Sequence, residues 1–65
     1  MMSHMEPKKI FTLFLRSGQA FNVMAEDRDD LVRSLQVVGW QVFATDEGGT
    51  VEIRASEVVA FRLLF

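Results

Sequence analysis

The chain has no cysteine and no tyrosine, and only one proline, one tryptophan and one histidine. Without cysteine it can form no disulfide and no thiolate metal site. The one histidine is His4, within Met1-Met2-Ser3-His4-Met5. That opening (residues 1–5) reads as an expression scar with the native start at Met5, and it is set apart from the fold. No imidazole, thiol or phenol then remains to activate Ser17, Ser34 or Ser56, and a hydroxyl nucleophile needs such a neighbour. Lys8 and Lys9 lie at the exposed start of the first strand. Nor does any phosphate-cradling glycine motif occur. The expectation is a chain that is not an enzyme, with no catalytic residue, no cofactor and no metal ligand.

An excess of charge is also missing. Seven basic against nine acidic residues give a net charge of −2. Displacing counterions from a nucleic acid normally takes a basic face, so a nucleic-acid partner is disfavoured. The apolar runs are too short to span a bilayer, and no charged leader precedes a signal-like stretch, so no membrane association is expected. A cysteine-free domain suits a reducing compartment, which points to the cytoplasm.

What is present is apolar material: 49% of 65 residues are hydrophobic. Residues 6–65 make one domain. A chain this short buries only roughly 60% of its unfolded surface. Small folds add disulfides, a metal or oligomerisation, and here only the last remains open.

The order of patterns predicts an α+β fold, β-β-α-β-β with a split fifth strand, in which a small antiparallel sheet packs on one helix; partial closure into a barrel is the variant. Pro7 suits a strand's first edge. Ile10 to Leu15 is β-branched, aromatic and apolar, predicting a strand over 9–16. Ser17-Gly18 is a two-residue turn, and 19–25 alternates, with Phe21, Val23 and Ala25 on one face. Asp27 is placed to cap a helix over 28–38, and Asp29 and Asp30 favour its positive end. Leu31, Leu35 and Val38 form its apolar stripe and Gly39 its stop. Strands follow over 40–45 and 50–55, joined by Asp46-Glu47-Gly48-Gly49, with Val51 and Ile53 inward and Glu52 and Arg54 outward. Ala55-Ser56-Glu57 bends the chain into a last apolar strand over 58–64.

Apolar side chains exceed what one helix can cover. Phe11, Leu13 and Leu15 oppose Ile10 and Phe14, and Val59, Phe61, Leu63 and Phe65 oppose Val58, Ala60 and Leu64. A sheet with a solvated face would alternate. The second face is therefore expected to be covered by barrel closure, by a different protein or, as the favoured reading, by a second copy in a homodimer. The interface expected is Ile10, Phe14, Phe43 and Leu64, with Trp40 as an anchor or, in the ordinary reading, as core. Arg54 and Arg62 are candidate contacts to a partner's acidic groups or to phosphate, whereas cross-strand pairing with Glu52 and Glu57 is their ordinary role.

The segment Ile53-Arg54-Ala55-Ser56-Glu57-Val58-Val59-Ala60-Phe61 resembles the closing strand-turn-strand of Sm-like proteins, where an Ile-Arg-Gly pattern precedes a short apolar strand. Ala55 stands at the glycine of that pattern, and a helix interrupts the chain where the barrel strands of Sm-like proteins continue. The resemblance implies a small nucleic-acid-binding barrel as the alternative function. The favoured expectation is a non-catalytic interaction module that binds protein, by self-association or by inhibiting or adapting a larger target. Phage and mobile elements encode small acidic proteins of this kind.

Overall fold

A computed structural model describes residues 8–64; the expectations for Met1–Met5, Pro7 and Phe65 fall outside them. The elements run β1 (Lys9–Leu15), β2 (Ala20–Ala25), α1 (Arg28–Leu35), β3 (Trp40–Ala44), β4 (Thr50–Arg54), a 3-10 turn (Ala55–Glu57) and β5 (Val58–Leu63). The α+β class and the order of five strands and one helix are those the sequence predicts. The strands form a three-stranded antiparallel sheet, β2-β1-β5, and a two-stranded one, β3-β4. Among the described residues a single bridge, between Val23 and Thr45, joins them. Among the described residues β4 and β5 do not pair, so the strands do not close into a barrel.

The two hairpins share one loop chemistry. Leu15 N–H donates to Gln19 C=O (2.8 Å) and Gly18 N–H to Leu15 C=O (2.9 Å). In the second hairpin Thr45 N–H donates to Gly49 C=O (2.9 Å) and Gly48 N–H to Thr45 C=O (3.2 Å). Loops 16–18 and 46–48 thus each end on a glycine at positive φ, +98° at Gly18 and +93° at Gly48. That conformation completes this type of hairpin loop and strains any residue with a Cβ.

Helix α1 starts as its sequence dictates. Asp27 is extended, and its Oδ1 accepts from Asp30 N–H at 2.8 Å. Asp29 and Asp30 occupy the first turn, where the helix dipole favours negative charge. Its end departs from expectation. The last helical residue is Leu35, and Gln36 N–H and Val37 N–H turn back to Arg33 C=O (3.2 Å) and Ser34 C=O (3.3 Å). These are the tighter bonds of a terminating turn. Val37 and Val38 are β-branched and poorly suited to prolong a helix, and Gly39 at φ +100° then redirects the chain into β3. Val38, expected on the buried stripe, is 96% exposed.

The core gathers Phe11 and Leu13 from β1, Val23 and Ala25 from β2, Leu31 from α1, Phe43 from β3 and Ile53 from β4. The inner faces of both sheets therefore share one core, with Leu31 as the helix's buried contribution. Phe11 meets Phe61 edge to face, ring centroids 6.0 Å apart, a favoured arrangement for aromatic pairs.

The outer face of β2-β1-β5 is mixed rather than bare. The cross-strand register aligns Asn22, Thr12 and Arg62 in one polar row. Thr12 Oγ1 donates to Asn22 Oδ1 at 2.8 Å, and the Arg62 guanidinium carbon lies 5.9 Å from the centroid of the Phe14 ring. Ile10 and Phe14 flank that row and are half-buried.

Candidate interaction surface

Among the described residues, the outer face of β3-β4 carries the most exposed aromatic side chain. In the β3-β4 ladder Trp40 faces Arg54, Val42 faces Glu52 and Ala44 faces Thr50. Alternation sets these side chains on one surface and Phe43, Val51 and Ile53 on the other. Because Phe43 takes the core position (6% exposed), its neighbours Trp40 and Val42 are turned outward, 59% and 62% exposed. Trp40 is thus not a core residue. Its ring is partnered from within the ladder: the Arg54 guanidinium carbon sits 5.1 Å from the ring centroid, within the range of a cation–π contact. Val37 and Val38 reach the surface just before β3. They line an open groove of about 490 Å³ with Leu35, Gly39 and Arg54–Ser56.

The expected interface residues fall in three places. Ile10 and Phe14 share the outer face of the three-stranded sheet. Leu64 adjoins them past the end of β5, its N–H donating to Ile10 C=O at 2.7 Å. Phe43 does not join them: it is buried between the sheets, because its ladder partner is Val51, itself packed against the core. Trp40 lies on the other sheet. The candidate partner contacts are likewise divided, Arg54 over Trp40 and Arg62 over Phe14.

Sequence reasoning gave Val42 and Val37 no interface role and set Val38 on the buried stripe of the helix. Trp40-Val42-Ala44 and Gln41-Phe43-Thr45 are both partly apolar, and alternation alone does not say which set faces in. The signal that decides is β4, where Val51 and Ile53 are plainly inward. Register then pulls Phe43 and Gln41 to the same side.

The acidic residues around the helix have structural duties. Asp27 caps α1, and Asp30 lies 3.5 Å from Arg33 across one turn. Among the described residues no group of three or more His, Cys, Asp or Glu side chains is arranged to hold a metal ion, and no helix is long and apolar enough to cross a membrane. Comparison with protein-family models, curated proteins and solved structures finds no match to this chain.

Proposed function

We propose that this chain is a non-catalytic interaction module of the cytoplasm that binds protein through the outer face of β3-β4, with Trp40 as its anchor. The observation that carries this reading is a tryptophan 59% exposed on a regular strand and held in place by a ladder partner. Large aromatic and arginine side chains dominate binding energy at protein interfaces. A ring already ordered by Arg54 loses less conformational freedom when it docks. Val42, Val37 and Val38 add apolar area, and Arg54 and Glu52 supply a charged border. The target would offer an apolar pocket for the indole with an acidic group near Arg54. The module would act by occupying that surface, as an inhibitor or adaptor does.

The test is affinity capture from the source cell with the wild-type chain, followed by purification of the captured protein and measurement of its affinity. Trp40→Ser should weaken that complex about a hundredfold, as loss of a hot-spot anchor does, while Arg33→Glu on α1 leaves it unchanged. Equal affinity for the wild-type and Trp40→Ser chains would overturn the reading.

A second reading, a small nucleic-acid binder, draws support from Arg54 and Arg62 each lying over an aromatic ring, since stacked aromatics and arginines bind single strands. Both rings are already partly covered, and the net charge is −2, so it ranks second. Salt-dependent binding of a single-stranded oligonucleotide, lost in Arg54→Glu and Arg62→Glu, would reverse the ranking.

A further inference from the structure

We propose that a second copy of this chain adds its β4 to the free edge of β4, antiparallel, about a twofold axis passing between the two Ile53 residues. The bonds from Thr45 N–H to Gly49 C=O and from Ala55 N–H to Gly39 C=O (3.2 Å) fix the phase of the β3-β4 ladder. With the observed register, Val51 and Ile53 turn their backbone groups toward β3, and Thr50, Glu52 and Arg54 turn theirs away. Among the described residues no strand pairs with that outer edge. An open groove of about 280 Å³ runs beside it, between Glu52–Arg54 and the end of the first hairpin.

Charge selects both the occupant and the register. In an antiparallel pair the outward residues must face outward residues of the other strand. An axis at Glu52 sets that carboxylate against its own copy, and like charges directly opposite are destabilising. An axis at Val51 runs Arg54 past the strand into the loop at Gly48. An axis at Ile53 sets Glu52 opposite Arg54 of the second copy, and by symmetry Arg54 opposite its Glu52. A Glu-x-Arg edge is its own complement about the residue between. Within the chain, among the described residues, neither Glu52 nor Arg54 has an ion-pair partner.

The edges of β2 and β3 meet at the Val23–Thr45 bridge, and the remaining edge, that of β5, offers less. The register of β5 shifts opposite Phe14 and Leu15, and such an irregularity guards an edge against addition. Its one charged residue, Arg62, has no acidic counterpart along the strand.

The assembly is a four-stranded sheet, β3-β4-β4-β3, whose outer surface presents Trp40 and Val42 twice. The proposal rests on the reading above only for the use of that surface. The pairing is measured on the purified chain with no target present, so a monomer that still binds its target overturns this proposal alone.

The test is sedimentation equilibrium of the full chain at several concentrations, with charge reversals. The wild type should dimerise, more weakly as sodium chloride is raised, because exposed ion pairs are screened. Glu52→Arg and Arg54→Glu, each alone, set like charges opposite one another and should weaken the dimer on the order of tenfold or more. Mixed in equal amounts, the two variants should form a heterodimer, which also shows that both fold. The double reversal Glu52→Arg with Arg54→Glu should restore the homodimer. A wild type monomeric at about a hundredfold above micromolar would overturn the proposal. So would single reversals that dimerise as well as the wild type.

Discussion

Arg54 and Trp40 face one another across the β3-β4 ladder, the guanidinium carbon 5.1 Å from the indole ring centroid. The contact is exposed, so its contribution to stability is small, about 0.5–1 kcal/mol. Its larger effect is order: the strand fixes the arginine, and the arginine fixes the ring. Arg54→Ala should therefore lower stability by no more than about 1 kcal/mol in urea denaturation. It should raise the mobility of the ring, read as lower steady-state anisotropy of the single tryptophan. A loss of several kcal/mol would mean that Arg54 holds the fold rather than the ring.

Leu31 is the fully buried side chain of α1, with Leu35 packed half-buried against the same core. Leu31→Ala should cost about 2–5 kcal/mol, from lost transfer energy and the cavity left behind. For a domain of this size that approaches the whole stability, so thermal unfolding should move to much lower temperature or become uncooperative. Val38→Ala, seven residues on, should change almost nothing.

That contrast shows what the sequence makes legible and what it hides. Leu31, Leu35 and Val38 have helical spacing, yet the helix stops at Leu35. Apolar spacing alone does not set helix length here: the β-branched pair Val37-Val38 and Gly39 at positive φ end the helix before the stripe is complete. The strands are plainer in the sequence, because Val51 and Ile53 alternate cleanly with Glu52 and Arg54. The surface was the harder part: whether Trp40 or Phe43 faces the core depends on register with β4, a relation between segments that periodicity in one segment does not contain. The three-row mixed face of β2-β1-β5 was hidden for the same reason. Thr12, Asn22 and Arg62 are far apart in sequence and become a row only when the strands pair.

Asp27→Ala removes the acceptor for Asp30 N–H and should cost about 1 kcal/mol, the usual value for a helix N-cap. Asp27→Asn or Asp27→Ser should recover most of it. Denaturant midpoints at constant slope would show this; equal midpoints for Ala and Asn would remove the cap from the account of why α1 begins there.

Gly39→Ala tests the chain reversal between α1 and β3. Its φ is +100°, and an added Cβ would meet nothing within 4 Å. Any cost is then conformational rather than steric with neighbours, roughly 1–2 kcal/mol. Gly49→Ala, where φ is not positive, should cost less. Both are read from thermal or denaturant unfolding, and equal effects would contradict the left-handed turn at Gly39.

The most direct measurement is amide hydrogen exchange along β4, residue by residue, at low and high protein concentration. In dilute solution Val51 and Ile53, bonded to β3, should be protected, while Thr50, Glu52 and Arg54 exchange rapidly. As concentration rises, Glu52 and Arg54 should become protected as the second copy docks. Thr50, which in this register faces the 3-10 turn of that copy, should stay fast. Protection at Glu52 and Arg54 that does not change with concentration, or that appears instead at Phe61 and Leu63 on β5, would contradict the account.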